Sequence, residues 1–341
     1  MNKKSYNSWL VLFSKFTIFS TLILIFVGAL VKSHEVGLSV PDWPTTYGDN
    51  MFAFPLSSMV GGILYEHGHR LIATFVGFLT LCQTLWLSIS SVERWLKVVG
   101  FVSLCAVITQ GMFGGLTVIF FLPPLVSIIH GTLAQTFLVI LIIIAYGLSK
   151  ERSERNEKIN FGLSIHSRAI VLGVLIYIQL ILGALVRHTA SGLAIPDFPT
   201  MGGGLFPIFN DAMLNHINNY LFHIDKDLVS LLQVVIHFFH RLGALIISLS
   251  FCIFFFKYYD TFKHQKNIRF NFWYVTFALL FQIALGAATV ISEKHEIITS
   301  LHVLNGALLL GLTILFILRV SPVNFNEWPI INSFRVLESN R

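Results

Sequence analysis

Charge is what this chain is short of. Of 341 residues, only 12% are Asp, Glu, Lys or Arg, while 55% are hydrophobic. A water-facing domain carries about 25% charged residues, so the chain has half the usual supply for a solvated surface. That shortage excludes an ordinary soluble enzyme, a disordered chain and, despite a net charge of +6, a nucleic-acid binder. Cysteine is almost as scarce. The three present, Cys82, Cys105 and Cys252, fall inside apolar runs where they read as small packing residues, so no disulfide scaffold is expected. Strand-like alternation is missing too, which argues against a membrane barrel with strands of about 10 residues.

What the chain has is apolar sequence in long blocks. Crossing about 30 Å of hydrocarbon takes roughly 20 helical residues. Eight runs qualify, near 16–33, 68–90, 96–119, 126–148, 168–187, 229–256, 272–291 and 297–318. Lys3 and Lys4 ahead of the first would suit a signal peptide, but the end of that run recurs later, so it is read as a span. With the N-terminus inside, only Lys32, Arg70, Arg187, Lys226, Arg241 and Lys294 of the 23 basic residues lie outside. The asymmetry predicts a multi-pass membrane protein, both termini cytoplasmic, with long outer loops over 34–66 and 188–228. It also explains the positive charge without an acidic partner; the lipid bilayer is the expected surrounding.

The sequence repeats itself. Residues 28–45, GALVKSHEVGLSVPDWPT, return at 183–200 as GALVRHTASGLAIPDFPT, an offset of 155 with ten of eighteen positions identical. His69-Arg70-Leu71 returns as His240-Arg241-Leu242 at offset 171. Gln110, Gly114, Thr117, Val118 and His130 return as Gln282, Gly286, Thr289, Val290 and His302 at offset 172. The offset grows by 16, so the second outer loop is longer by that much. Four spans per repeat is an even number, which puts both halves in one orientation, with a pseudo-two-fold axis along the membrane normal. The expected fold is therefore an all-α membrane protein with eight transmembrane helices in two pseudo-two-fold-related four-helix bundles. The N-terminal bundle covers 1–148, a charged cytoplasmic linker 149–167, and the C-terminal bundle 168–341.

Of thirteen histidines, only two pairs survive the repeat: His69 with His130, and His240 with His302. Each stands near the outer start of a run that enters from outside. Two imidazoles at one depth on different helices of a bundle are what six-coordinate haem iron takes. Zinc would want a tight tetrahedron, often with thiolates, which neither half supplies there. A hydrogen-bonded histidine at a helix start explains one such residue, but not two repeated pairs. Arg70 and Arg241 follow the first histidine of each pair, with a haem propionate as expected partner and snorkelling to headgroups as the alternative. Glu66 precedes His69 by three residues and shares its helix face, where the second half has His237. A solvated acid at a helix start is the plain alternative for Glu66; the difference between halves suggests that one bundle reacts while the other stores and passes electrons. His237 shares the face of His240 and stays ambiguous, and His67 is read as a surface or loop contact. His34, His188, His216, His223 and His295 are read as solvated outer-loop residues, and His166 and His264 as solvated inner ones. The PDWP (41–44) and PDFP (196–199) segments read as rigid turns, either folded over the bundle mouth or lying as a lid on a haem edge.

In this order and duplicated, the motifs resemble the haem A synthase family over nearly the whole chain. The residues that carry the resemblance are the GALV…GL…PDWP/PDFP loops, Glu-x-x-His-Arg at 66–70, His130, His240-Arg241 and His302. It implies a multi-pass oxidoreductase of the bacterial inner membrane, active in cytochrome oxidase assembly, that oxidises the C8 methyl of haem O to the formyl of haem A by successive hydroxylations. It implies His69 and His130 as axial iron ligands of substrate haem O in the N-terminal bundle. His240 and His302 would be those of a permanent haem b in the C-terminal bundle, an electron relay. Glu66 would be the catalytic group facing the reacting methyl. Haem O synthase is implied as the source of substrate; the electron donor and oligomeric state stay open. Many bacterial relatives carry a cysteine pair in the first outer loop, where this chain has Val40 and Thr46, so a disulfide there is not required here. The rival readings are a non-enzymatic bis-haem membrane electron carrier, with two equivalent haems and no task for Glu66, and a haem transporter or chaperone.

Overall fold

A computed structural model describes residues 7–154 and 163–321. The first helix starts where a cap allows it rather than where the sequence becomes densely apolar. Asn7 Oδ1 accepts the amides of Trp9 and Leu10, both at 3.1 Å, and α1 (Ser8–Ser33) begins eight residues ahead of the expected span. After the first loop come α2 (Gly62–Ile89), α3 (Arg94–Ile119), α4 (Pro124–Gly147) and the single turn α5 (Lys150–Ser153). The second half has α6 (Leu163–His188), α7 (Asp211–His223), α8 (Leu231–Phe262), α9 (Lys266–Ile291) and α10 (Glu296–Val320). Eight of these are long and apolar enough to cross a membrane, all but α5 and α7. Among the described residues there is no strand, only the isolated bridges Thr46–Asp49 and Met201–Gly204. The fold is all-α, as expected.

The repeat is visible in helix boundaries. Shifted by 155, α1 falls on α6 at both ends, and shifted by 172, α3 falls on α9 at both ends. In the first half α1 packs on α2 and α4, α2 on α3, and α3 on α4; in the second, α6 packs on α8 and α10, and α9 on α8 and α10. The two sets meet where α1 and α4 touch α10 and where α4 touches α6. Each set closes as a ring with its long loop at the same end as the other's.

Several expectations need adjustment. The segment 149–167 is partly helical, since α5 occupies its start and α6 its last five residues; 155–162 lie outside the described residues. So do Lys3, Lys4, Arg155, Lys158, Arg335 and Arg341 of the orientation argument, and both termini. Cys105 and Cys252 are exposed on their helices rather than packed inside. The additional length of the second loop is used for α7, whose Met213, Ile217 and Leu221 bury against Leu193, Ile195 and Val234. His216 and His223 therefore belong to a helix rather than to an irregular loop. His188 closes α6 and is half-buried.

Candidate functional site

The four repeated histidines sit in the second or third turn of α2, α4, α8 and α10, all of which start at the long-loop end. At 1.5 Å per residue they lie about 9–14 Å inside those helix starts. The rings of His240 and His302 are 6.4 Å apart and inclined by 77°. Each of the four faces a glycine on the next helix. A Cβ on Gly28 would stand 2.8 Å from His69 Cε1, and one on Gly114 would stand 3.2 Å from His130 Cε1. In the second half the same distances are 3.2 Å from Gly183 to His240 and 3.1 Å from Gly286 to His302. A side chain at any of these positions would press on the imidazole, hardest at Gly28. The repeat had paired these glycines without giving them a task.

Glutamines hold three of the four. Gln110 Nε2 donates to the His130 carbonyl at 2.9 Å, Gln282 Nε2 to that of His302 at 3.1 Å, and Gln179 Nε2 to that of His240 at 2.7 Å. The same amide nitrogens lie 3.5, 3.4 and 3.1 Å from a ring nitrogen of the histidine. Nδ1 of His69, His130 and His302 is buried with no hydrogen-bond partner. A buried polar atom left unpaired costs about 1–3 kcal/mol, so these imidazoles suit a bound group that compensates them. Half-buried rings on facing helices, set in apolar surroundings, fit the two axial positions of a haem. Among the described residues no group of three His, Cys, Asp or Glu is placed to hold a metal ion, which leaves the zinc alternative without donors.

Arg70 and Arg241 have partners other than the expected propionates. Arg70 Nη1 donates to the carbonyls of Asp42 (2.7 Å) and Thr45 (3.0 Å), and its Nη2 to Val40 O (2.8 Å) and Glu66 Oε1 (2.7 Å). Arg241 repeats this with Asp197 O (2.8 Å), Thr200 O (3.1 Å) and Ile195 O (2.8 Å). Each guanidinium fork fastens a PDWP or PDFP turn to its helix. Loop carbonyls were invisible to the sequence argument because every residue has one.

Glu66 and His237 do one job in the two halves. Glu66 is 4% exposed, and its Oε2 accepts the Val40 amide at 2.8 Å. His237 Nδ1 accepts the equivalent Ile195 amide at 3.2 Å, and its Nε2 lies 3.3 Å from Arg241 Nε. His67 is a loop contact, with Nδ1 3.0 Å from Thr46 Oγ1. Val40 and Thr46 are both fully buried, so polar contacts to α2 anchor the loop at the two positions.

Within each turn an aspartate organises the chain. Asp42 accepts from the Tyr47 and Gly48 amides at 2.8 and 2.9 Å, Asp197 from those of Gly202 and Gly203 at 2.8 and 2.9 Å. Both amide pairs sit at positive φ, 53° and 81° in the first turn, 70° and 87° in the second. Burial pushes the Asp42 carboxyl up, but bonds from Gly48, Thr45 and Tyr47 outweigh it and bring it down to about 2. For Asp197 burial acts upward in the same way, and bonds from Gly203, Thr200 and Gly202 again hold it below its ordinary value. Trp43 lies across Gly115 of α3, which draws the turn over the first ring.

Arg187 joins the halves: its Nη2 donates to Ala29 O and, at 3.1 Å, to Ser33 Oγ of α1. The sequence counted it only as an outer charge. His34 stacks near Tyr65, centroids 4.4 Å apart, away from the paired histidines.

Known proteins with this pattern have been described. Heme A synthase of Lysinibacillus sphaericus is 24% identical over 327 residues, covering 94% of this chain and 98% of that protein. Heme A synthase of Staphylococcus saprophyticus is 24% identical over 313 residues, covering 89% and 93%. That of Pelagibacter ubique is 26% identical over 349 residues, covering 91% and 96%. The family model described as cytochrome oxidase assembly protein, COX15-CtaA, matches residues 49–314, which takes in both histidine pairs and the second turn and begins just after the first. By that match the chain belongs to the COX15-CtaA family of cytochrome oxidase assembly proteins.

Proposed function

We propose that the protein is a haem A synthase, a membrane oxidoreductase that converts haem O to haem A by successive hydroxylations of the C8 methyl. The observation that carries this reading is the set of four half-buried imidazoles, each set in a glycine notch, in a chain of this family. In it the N-terminal bundle holds haem O between His69 and His130, and the C-terminal bundle holds a resident haem b between His240 and His302. When bound, the haem irons supply the redox chemistry. The chain supplies the rest.

Gly28, Gly114, Gly183 and Gly286 let the imidazoles stand edge-on between helices, and the glutamines fix three of them. The two turns, fastened by Arg70 and Arg241, cover the loop ends of the rings and limit the entry of water. Glu66 keeps a carboxylate three residues from His69, paired at 2.7 Å with Arg70, where the second half has only the imidazole of His237. That charge is the asymmetry we assign to the reacting half, where it stabilises positive charge developing at the substrate. Haem O synthase would hand over the substrate, and a donor in or at the bacterial membrane would supply electrons.

The equivalence of Glu66 and His237 as loop fasteners favours one second reading, a bis-haem electron carrier, because it gives Glu66 a task without chemistry. Extraction of pigment from the purified protein and mass spectrometry of the haems separates the two. Haem b with haem O, hydroxylated haem O or haem A, the O/A species lost in His69→Ala, is the expected result. Haem b alone at two per chain would overturn the synthase reading.

A further inference from the structure

The clasp around the histidines is a local motif, and one of its four copies is broken. Gln110 and Gly114 are both on α3, Gln179 and Gly183 on α6, Gln282 and Gly286 on α9. In each case the two residues are four apart and so share a helix face. The glycine takes the imidazole edge, and the glutamine one turn earlier holds the carbonyl of the same histidine and reaches its ring. The fourth copy, on α1, reads Leu24 and Gly28. Gly28 still receives His69, at 2.8 Å from a would-be Cβ to Cε1, the closest of the four. Leu24 cannot donate a hydrogen bond; it packs instead against Val76, Phe137 and Leu141.

The partner position has changed with it. Gln179 fits because α8 has Gly243 opposite, where a Cβ would stand 2.2 Å from Gln179 Oε1. The equivalent residue of α2, at offset 171, is Ile72. Leu24 and Ile72 thus replace a glutamine and its glycine by two aliphatic side chains, a matched exchange that leaves no hydrogen-bond donor at this position.

We propose that this exchange makes His69 the releasable ligand of the first half, so that Leu24 and Ile72 set which of the four histidines lets its iron go. The inference rests on the reading of His69 and His130 as a haem pair. A ligating imidazole is held in place by the hydrogen bonds around it, and loss of such a partner weakens binding by about 10–100-fold. His130, His240 and His302 keep their glutamine. His69 keeps only its notch; its Nδ1 is buried and unpartnered, as are those of His130 and His302, so the missing glutamine is what sets it apart. A bis-imidazole site that must open a position on one face would open here, on the side of α2 that also carries Glu66. The second half, clasped on both sides, stays closed as suits an electron relay.

The test uses carbon monoxide as the probe on the full-length protein, purified with its haems and reduced. In the unaltered protein, carbon monoxide is expected to bind the first-half haem and spare the haem b. Leu24→Gln with Ile72→Gly, which rebuilds the clasp, is expected to lower that affinity by about 10–100-fold and raise the low-spin fraction of the oxidised spectrum. Gln179→Leu is expected to do the reverse, making haem b reactive toward carbon monoxide. That arm needs only the second half and separates the outcomes. If pigment extraction finds no haem O or A, the synthase reading fails while Gln179→Leu still decides the clasp. If haem O is bound but carbon monoxide does not bind it, or if Gln179→Leu leaves haem b unreactive, the clasp proposal is overturned and the synthase reading stands.

Discussion

The Glu66 carboxylate accepts the buried amide of Val40 at 2.8 Å. The bond ties the first loop to α2 one turn before His69, and the second half copies it with an imidazole, from Ile195 to His237. Structure and chemistry at Glu66 can therefore be separated by borrowing the second half's solution. Glu66→Ala leaves the Val40 amide buried and unpaired and is expected to destabilise the protein by about 1–3 kcal/mol. Glu66→His is expected to keep the loop fastened and the haem content near normal. If the charge matters to the reaction, haem A formation in Glu66→His should still fall by ten-fold or more, read as the ratio of haem A to haem O in extracts. Retained turnover would reduce Glu66 to a fastener.

The glycine notches give a second expectation. Alanine at Gly28, Gly114, Gly183 or Gly286 puts a methyl 2.8–3.2 Å from a histidine ring carbon, tighter than ordinary contact, so the imidazole must move. Gly183→Ala and Gly286→Ala should lower haem b per chain, whereas Gly28→Ala and Gly114→Ala should lower only the haem O and haem A species. Gly131→Ala, one residue after His130 and with open space at its Cβ, is the control and should leave pigment unchanged. Quantitative haem extraction from the five proteins checks it. Equal losses in all five would mean that the notches do not position the ligands.

Much of this was legible in the chain because the repeat compares the protein with itself. Periodicity and run length located all eight spanning helices, though their starts extend by up to eight residues, since caps such as Asn7 act beyond the apolar stretch. The histidine pairs and their glycines emerged from one offset table. What the repeat could not reveal is where the halves differ. Gln179 opposite Leu24 is a mismatch, and a search for matches passes over it. The arginines were found, but not their main-chain acceptors in the turns or, for Arg70, the Glu66 carboxylate. His188 was misplaced as a solvated loop residue because α6 runs on to the end of the GALVRH segment.

The turns should respond to acid. Asp42 has its carboxyl held down to about 2 against an ordinary value of 3.8. A folded value below the unfolded one adds stability that is complete above about pH 4 and is lost as the pH falls from there through about 2. The first turn is expected to loosen over that window, seen as lost protection of the Tyr47 and Gly48 amides, which donate to Asp42, relative to the free-chain exchange rate at each pH. Asp42→Asn should show the low protection already at neutral pH and lose the dependence. Protection independent of pH in the unaltered protein would mean that the turn is held by Arg70 alone.

Arginine itself gives the sharpest contrast between a charge and a fork. If Arg241 served mainly to neutralise an anion, lysine would keep most of its function, since the charge is retained. The geometry asks for more: Nη1 spans the Asp197 and Thr200 carbonyls, Nη2 reaches Ile195, and Nε meets His237. A single ammonium cannot reach carbonyls set around a planar fork. Arg241→Lys is therefore expected to lose at least two of these bonds, at about 0.5–1.5 kcal/mol each, and to release the turn over 195–200. Limited proteolysis should cut that turn in the variant and spare it in the unaltered protein, and haem b content should fall with it. Arg70→Lys should act alike on the first turn while leaving haem b in place, because Arg70 fastens only the loop of its own half. Lysine variants with intact turns and normal pigment would restore a purely electrostatic task to both arginines.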